Sequence, residues 1–287
     1  MQTLSIIVPC YNQAHFLHEA LQSVLEQTVS DWECIIVNDG SQDNTEEIAS
    51  AWCKKDERFR YLRKENGGLS SARNAGIGIA NGEFILPLDA DDKIAPSYAE
   101  KAIHLLQNNA EIKIVYCNHF RFGDENETRI SEPFDFKYML GINQIFCSGF
   151  YRKSDYQKTK GYSDELSKAG GWEDWDFWLS ILELAEPHFN EVVYKLDEPL
   201  FYYRIKKNSM ADKINEALYF RLWEIIFKNH TDLYNKYFEN PLLLNYRRNN
   251  YFGKYHEVLN SNAFKIGSVL VKCFIIPFKS KIYEKGK

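Results

Sequence analysis

The chain has 287 residues, of which 45% are hydrophobic and 26% charged, with 8 prolines and 15 glycines. This composition is typical of a globular protein with a sizeable buried core, and it excludes collagen-like and wholly disordered chains. The formal net charge of −5 disfavours a nucleic-acid binder that is basic over its whole surface.

The six cysteines are far apart in the sequence and include no Cys-x-x-Cys pair. This spacing is typical of small buried thiols in a reducing cytosol, and it disfavours a disulfide framework or a zinc site. The N-terminus has no basic leader, and the most apolar late segment, residues 267–278, is far short of the ~20 apolar residues that span a bilayer. We therefore expect a cytoplasmic protein that is soluble or attached to a membrane surface.

Strands and helices alternate over the first hundred residues. Short apolar runs predict strands, and apolar residues spaced by three and four predict the helices that follow them. Asn12 is predicted to cap the first helix, and Pro96 to occupy the first turn of the fourth. The predicted strands span residues 4–8, 34–37, 60–62 and 84–88, with later helices at 45–52, 69–79 and 96–108. This alternation predicts an α/β fold with a mostly parallel sheet flanked by helices.

The regular alternation ends near residue 113. Short strands are predicted at residues 113–117, 119–122, 192–196 and 200–205, with a Trp-rich helix around 172–184. From Asn215 onwards the pattern is helical and strongly aromatic. We therefore expect three parts: an α/β half over residues 1–112, an α+β half over 113–210 and a helical extension over 211–287.

Three polar motifs follow predicted strands, namely PCYN at residues 9–12, NDGS at 38–41 and DADD at 89–92. In parallel sheets, ligands bind beyond the carboxyl ends of the strands. The position of the three motifs at three such ends predicts a ligand site there.

The DADD motif crowds Asp89, Asp91 and Asp92 into four positions. Two carboxylates about 4 Å apart repel each other by roughly 4 kcal/mol at an effective dielectric constant of 20, so a cation or several donors must offset them. Oxygen-only ligands favour Mg²⁺ or Mn²⁺. An exposed acidic loop that caps the next helix explains the same spacing, and both interpretations stay open.

Asp39 follows a neighbouring strand, and an Asp at such an end can accept a hydrogen bond from a base or ribose, although Asp-Gly-Ser is usually only a turn. The turn at Gly67 and Gly68, followed by a helix with Arg73, suits an anion. The sequence has no Gly-x-x-x-x-Gly-Lys loop and no dinucleotide fingerprint, which disfavours NTPases and dehydrogenases.

A second acidic motif, GWEDWD at residues 171–176, sets three carboxylates among tryptophans. It is typical of a helix N-terminus, where acids favour the helix dipole and tryptophans pack into the core. A carboxylate in an aromatic cleft is also a suitable general base opposite a sugar ring. The motif alone leaves both interpretations open.

Together these motifs resemble glycosyltransferase family 2, whose members are inverting enzymes of the GT-A fold. Five elements carry the resemblance in the family's order across roughly residues 3 to 205. They are IIVPCYN at 6–12, VNDGS at 37–41, NGGLSSARNAG at 66–76, LDADD at 88–92 and WED at 172–174. The C-terminal part of the chain has no such support.

The resemblance implies a role for each matching residue. Asp39 would bind the base, Asp89 the ribose, and Asp91 with Asp89 a Mn²⁺ or Mg²⁺ that bridges the two phosphates. Asp174 would deprotonate the acceptor hydroxyl, for which an ordinary Asp pKa near 3.9 leaves it ionised, and Glu173 would shape the acceptor pocket. The implied nucleotide-binding residues are Pro9, Tyr11, Asn12, Asp39, Asn66, Arg73, Asp89, Ala90 and Asp91.

The chain departs from the family pattern at one position. Many members have Arg-x-His after the last strand, where the His is a further metal ligand, and here Arg204 is followed by Lys206. A protonated lysine does not bind a cation, so both residues would instead neutralise the diphosphate and metal dependence would be weakened. A solvated loop around Lys206 is the alternative.

The C-terminal segment is basic and apolar. Between Lys265 and Lys287 there are six lysines and a single acid, Glu284. This pattern predicts a helix that lies on an anionic membrane surface, while a helix docked on the protein is the alternative.

The resemblance implies transfer of a sugar from a nucleotide diphosphate donor to a hydroxyl of a glycan or lipid-linked saccharide, in polysaccharide synthesis of O-antigen or capsule type. The donor would be a UDP-hexose or UDP-N-acetylhexosamine, with a dTDP-sugar as the alternative, and no nucleic acid takes part. Two other functions stay open. One is a nucleotidyltransferase, and the other is a non-catalytic module of the same fold that binds sugar or docks on membranes.

Overall fold

A nine-stranded sheet forms the centre of the computed structural model, which describes residues 2–207, 209 and 213–238. The strands are β1 (Leu4–Cys10), β2 (Trp32–Asn38), β3 (Phe59–Arg63), β4 (Phe84–Pro87), β5 (Lys93–Ile94), β6 (Ile114–Gly123), β7 (Glu127–Arg129), β8 (Phe150–Arg152) and β9 (Val193–Ile205). The helices are α1 (Ala14–Leu25), α2 (Thr45–Lys55), α3 (Leu69–Gly78), α4 (Tyr98–Asn108), α5 (Phe136–Met139), α6 (Lys153–Tyr156), α7 (Asp164–Ala169), α8 (Glu173–Glu183), α9 (Glu216–Asn229) and α10 (Thr231–Tyr237).

The N-terminal half of the sheet is parallel, in the order β3-β2-β1-β4. β1 pairs with β2 along its whole length, from Leu4 opposite Trp32 to Cys10 opposite Asn38. Every residue of these two strands is buried, because helices cover both faces of the sheet. Continuous apolar runs therefore mark the strands, and the predicted α/β fold with a parallel sheet is confirmed in this half.

The second half of the sheet mixes directions. β8 pairs antiparallel with β4 and β6, and β6 pairs parallel with β9. The strands predicted at 113–117 and 119–122 are one strand, β6, and those predicted at 192–196 and 200–205 are one strand, β9. Shifts in register between Cys117 and His119 allow the pairing to continue through the polar residues that break both patterns. The divisions predicted at residues 112 and 210 stay predictions.

Strand β9 brings a distant segment to the DADD motif. β5, which follows that motif, pairs antiparallel with β9, so that Lys93 lies opposite Tyr202 and Ile94 opposite Phe201. The end of β9 therefore lies beside residues 89–92.

Two predicted helix starts are wrong. α1 begins at Ala14, and its first backbone N–H donates to Asp43 Oδ2 at 2.9 Å rather than to Asn12. Asn12 has a φ of 53° and accepts the backbone N–H of Gln42 instead, because its side chain joins two loops. Pro96 precedes the cap of α4, Ser97, and its carbonyl accepts the backbone N–H of Thr28.

The predicted buried thiols are confirmed at Cys10, Cys34 and Cys117, while Cys53 and Cys147 are half-buried. Cys273 and the predicted membrane-binding segment from Lys265 to Lys287 lie outside the described residues. In the described part of the chain, no helix combines the length and the apolar character that crossing a membrane requires.

Helix α3 packs closely on the sheet at Gly76. A Cβ atom there would lie 2.6 Å from Ile7 Cγ2 and 2.9 Å from Val37 Cγ2. We predict that Gly76→Ala lowers the free energy of unfolding by about 1–3 kcal/mol, because the added methyl forces the helix off the sheet. Urea unfolding measures this change.

Gly78 in the same helix provides the matched control, since a Cβ atom there meets no atom within 4 Å. Gly78→Ala should leave the stability unchanged or raise it by up to about 1 kcal/mol, because alanine loses less backbone entropy on folding. Equal stabilities of the two variants would contradict the close packing at Gly76.

Candidate active site

The loops after β1 and β2 are joined at the carboxyl edge of the sheet. The backbone N–H of Asn12 donates to Ser41 Oγ at 3.0 Å, and Asn12 Oδ1 accepts the backbone N–H of Gln42 at 2.8 Å. Pro9 lies near the end of β1, and the side chain of Tyr11 is half exposed beyond it. Two of the predicted motifs therefore form one wall of the site, with an aromatic ring open to solvent.

Asp39 is buried and holds the loop that leads into α3. Its Oδ1 accepts the Lys64 ammonium at 2.6 Å and the backbone N–H of Gly67 at 3.0 Å. Its Oδ2 accepts the backbone N–H of Gly68 at 2.8 Å and Asn66 Nδ2 at 3.2 Å. The carboxylate is thus engaged on both oxygens, and its predicted contact with a base stays a prediction.

Arg73 joins the two acidic motifs. Its guanidinium is 1% exposed, with Nη2 2.7 Å from Asp89 Oδ1 and Nη1 2.7 Å from Glu173 Oε1. The two carboxylates outweigh burial and raise the pKa of Arg73 well above its ordinary value. The guanidinium is thus bound to Asp89 and Glu173, and the contact of Arg73 with the nucleotide that the resemblance implies stays a prediction.

Residues beside the predicted site complete the acidic cluster. Cys147 Sγ donates to Asp89 Oδ2 at 3.4 Å, and the buried Asp92 accepts the backbone N–H of Arg204 at 2.8 Å. Burial, with Asp91 and Asp89 adding to it, raises the pKa of Asp92 well above its ordinary value. Sequence reasoning missed Cys147, for which no local pattern gives a signal, and assigned Asp92 no role.

Asp91 is paired with a lysine. Lys206 Nζ lies 2.5 Å from Asp91 Oδ2. Arg204 Nε donates to the backbone carbonyl of Asp91 at 2.7 Å, and its Nη2 lies 3.1 Å from Glu19 Oε2. Lys206 is therefore not part of a solvated loop, and Arg204 anchors β9 to the acidic motif. Ala90, between the paired acids, is buried.

A divalent cation does not fit the predicted ligands as they stand. The carboxylates of Asp89 and Asp91 are each paired with a cationic side chain. Among the described residues, ligand atoms of Asp89, Asp92 and Cys147 come within 4.8 Å of one another. Burial raises the pKa of the Cys147 thiol, and Mg²⁺ and Mn²⁺ prefer oxygen ligands.

Asp174 lies in the first turn of α8, which begins after Trp172 in the left-handed conformation (φ 66°). Its oxygens accept neutral donors, the backbone N–H of Trp175 at 2.8 Å and Asn143 Nδ2 at 3.1 Å. Loss of water around the carboxylate, and the charge of Glu173, raise the pKa of Asp174 to about 7. This value is well above the ordinary one expected from sequence.

Glu173, the next acid on α8, is buried and differs from Asp174 in its partners. One of its oxygens, Oε1, binds Arg73, while Oε2 is buried and has no hydrogen-bond partner in the described part of the chain. Because Glu173 Oε2 has no partner and Asp174, the next residue, is partly exposed, Oε2 is suited to accept a hydrogen bond from a bound ligand.

The buried His230 connects α8 to α9 and α10 through its contacts with Asp176 and Glu183. His230 Nε2 lies 3.2 Å from Asp176 Oδ1, and its Nδ1 lies 2.8 Å from Glu183 Oε1. Asn229 Nδ2 also donates to Asp176 Oδ1, at 2.8 Å. These bonds hold the helix that carries Asp174 against the junction of α9 and α10.

Comparison with known proteins identifies the family and the fold. Residues 5–166 match the family model described as Glycosyl transferase family 2. The chain belongs to this glycosyltransferase family. The resemblance drawn from the five motifs is therefore confirmed. Four of the motifs lie within the matched residues, and the fifth, WED at 172–174, follows them.

Two bacterial relatives give the same family name. EpsJ of Bacillus subtilis, named as an uncharacterized glycosyltransferase, is 32% identical over 224 residues, which are 73% of this chain and 63% of EpsJ. The glycosyltransferase GlyA of Streptococcus pneumoniae is 30% identical over 226 residues, which are 72% of this chain and 31% of GlyA. The match thus spans less than two thirds of the length of either relative.

Solved structures share the fold of this family 2 glycosyltransferase. S. aureus TarS 1-349 in complex with UDP-GlcNAc matches with a TM-score of 0.62 and 18% identity, over 79% of this chain and 66% of TarS. The mannosyltransferase PcManGT from Pyrobaculum calidifontis, in complex with GDP-Man and Mn²⁺, matches with a TM-score of 0.56 and 15% identity, over 94% and 87% of the two chains. The GT-A-like fold predicted from sequence is confirmed.

The protonation of His230 makes the free energy of unfolding depend on pH. Hydrogen bonds and charges of Asp176 and Glu183 outweigh burial and raise the pKa of His230 from 6.5 to about 9. The stabilisation is therefore complete below about pH 6.5 and is lost as the pH rises through about 9. We predict that the free energy of unfolding falls by about 2–3 kcal/mol more in the wild type than in His230→Gln between about pH 6 and pH 10.

Urea unfolding at the two pH values measures this difference. His188, an exposed histidine that pairs with Glu191, provides the matched control, and His188→Gln should keep the slope of the wild type. A wild type and a His230→Gln variant with parallel pH profiles would contradict the role of this histidine.

Proposed function

We propose that this protein transfers a sugar, with inversion, from a nucleotide diphosphate donor to a hydroxyl of a glycan or lipid-linked saccharide. One observation carries the proposal: Arg73 joins Asp89, in the loop after β4, to Glu173, at the start of α8, with each ion pair at 2.7 Å. This arrangement sets Asp174, the carboxylate with a pKa of about 7, across from the sheet edge where a donor would bind. Membership of a glycosyltransferase family supports the reaction type.

The donor is a UDP-hexose or UDP-N-acetylhexosamine, with a dTDP-sugar as the alternative. Solved structures of this fold hold UDP or UDP-GlcNAc in TarS and GDP-Man in PcManGT, which supports a nucleotide-sugar donor, and the family resemblance supports uracil as the base. The half-exposed ring of Tyr11 offers a surface on which a base can stack. The residues assigned to the nucleotide are Pro9, Tyr11, Asn12, Asp39, Asn66, Arg73, Asp89, Ala90 and Asp91.

Asp174 acts as the general base. The acceptor oxygen attacks the anomeric carbon, the bond from that carbon to the diphosphate oxygen breaks, and the electron pair leaves with the diphosphate. The acceptor proton passes to Asp174, whose raised pKa makes it a stronger base than an ordinary aspartate at neutral pH. Glu173 positions the acceptor through its unpartnered Oε2. Lys206 and Arg204, which both bind Asp91 of the DADD motif, offset the charge of the leaving group.

The acceptor belongs to a surface polysaccharide of bacterial type, which the names of the relatives support through organism and family. Synthesis on a lipid carrier would take place at the inner face of the cell membrane, and the lysine-rich segment from Lys265 to Lys287 would bind that anionic surface. Both assignments are proposals that rest on sequence.

We predict that Asp174→Asn lowers kcat for sugar transfer by about 10²–10⁴-fold, because the amide cannot accept the proton. The affinity for UDP, measured by calorimetry, should stay within about threefold of the wild type, since a threefold change is below 1 kcal/mol. Asp164→Asn, an exposed residue on α7, should leave both quantities unchanged. Full activity of Asp174→Asn would contradict the assignment of the base.

The pH profile tests the same residue in another way. The pKa of Asp174 is raised to about 7, so the carboxylate loses its proton as the pH rises through that value. We predict that the rate of transfer increases about tenfold per pH unit below about 6 and levels off above about 8. A rate that is constant from about pH 5 to pH 8 would mean that another group, or none, accepts the proton.

A further inference from the structure

We propose that the ammonium of Lys206 takes the position of a divalent cation, so that the protein binds the diphosphate of its donor without a metal. This inference rests on the proposed function, since it concerns the same donor. It departs from the Mn²⁺ or Mg²⁺ that the family resemblance implies for Asp91 and Asp89.

Lys206 is bound to the carboxylate of Asp91, which is one of the predicted metal ligands. Its Nζ lies 2.5 Å from Asp91 Oδ2, and the two side chains are only 27% and 16% exposed. A divalent ion binds a carboxylate oxygen at about 2.0–2.2 Å, which would place it against the ammonium. Because two cations in that space repel each other strongly, the lysine and the metal exclude each other.

The second carboxylate is also paired. Asp89 Oδ1 binds Arg73 at 2.7 Å, and Asp89 Oδ2 accepts the Cys147 thiol at 3.4 Å. The third acid, Asp92, is buried and accepts the backbone N–H of Arg204. Each acid of the DADD motif thus has a donor from the chain itself, which offsets the repulsion that otherwise calls for a metal.

The structure holds Lys206 in place from two sides. The pairing of β5 with β9 and the two hydrogen bonds from Arg204 to residues 91 and 92 fix the end of β9 beside the acidic motif. On the other side, Lys206 Nζ lies 4.8 Å from the centroid of the Phe16 ring, within the range of a cation–π contact. The ammonium is therefore positioned before any donor binds.

Lys206 can donate hydrogen bonds to the diphosphate while it stays bound to Asp91. An ammonium has three N–H donors, of which one is directed at Asp91, so two can bind phosphate oxygens. When the bond from the anomeric carbon to the diphosphate breaks, the electron pair stays on the leaving oxygen and the lysine offsets the added charge without losing its proton.

Calorimetry of UDP binding to the full-length protein tests the inference. After dialysis against EDTA, the wild type should bind UDP with an affinity within about threefold of that in Mn²⁺, a difference below 1 kcal/mol. Lys206→Gln should bind UDP at least about tenfold more weakly than the wild type in EDTA, because one charge-assisted contact is lost. Lys206→His, with an imidazole beside Asp91, should gain affinity on addition of Mn²⁺ by about tenfold or more.

Lys207→Gln provides the matched control, since Lys207 is the exposed neighbour of Lys206 and should bind UDP as the wild type does in both buffers. Binding by the wild type that falls more than about tenfold in EDTA would overturn the inference and leave the proposed function intact. So would a Lys206→Gln variant with the affinity of the wild type. Absence of binding to UDP, dTDP and GDP in both buffers would overturn the proposed function itself.

Discussion

The buried guanidinium of Arg73 is the contact on which the rest of the site depends. Two ion pairs of 2.7 Å connect it to Asp89 and Glu173, which lie in different halves of the chain. Removal of one partner from a buried ion pair of this kind costs about 3–5 kcal/mol, because it leaves an uncompensated charge. A change in the distance between the DADD motif and the start of α8 would break an ion pair of Arg73. The stability of the fold therefore restricts this distance. In the proposed reaction that distance must stay constant, since donor and acceptor would meet within it.

The acids of the site differ in the kind of partner they have, and this difference separates their chemistry. Asp39, Asp89 and Asp91 each accept from a lysine or an arginine, and these ion pairs hold the loops in place. Asp174 accepts from an amide side chain and a backbone N–H, and it lies beside Glu173. Burial raises the pKa of Asp174 to about 7, because neutral donors compensate lost hydration less well than a cation does.

The helices beyond the sheet support the proposed base rather than the donor site. Asp176, two positions after Asp174 on α8, binds His230 and Asn229 at the junction of α9 and α10. Trp172, at the start of α8, packs edge-on against Tyr219 of α9 with ring centroids 4.9 Å apart. The first turn of α8 is thus held by two contacts, one made by Asp176 and one made by Trp172. Such support restricts the rotation of α8 and keeps the Asp174 carboxylate directed at one point.

Local patterns in the chain were enough to identify the parallel strands, the helices between them and the polar motifs at their ends, because a strand buried on both faces consists mostly of apolar residues. The five motifs also identified the family. They did not reveal that Asn12 joins two loops instead of capping α1, that Cys147 lies beside Asp89, or that Asp174 has a raised pKa. Those properties, like the pairing of Lys206 with Asp91, depend on segments that are about thirty to more than a hundred residues apart in the sequence and that the fold brings together. Hydrogen bonds, ion pairs and lost hydration act over a few ångströms in space, so no periodicity along the chain records them.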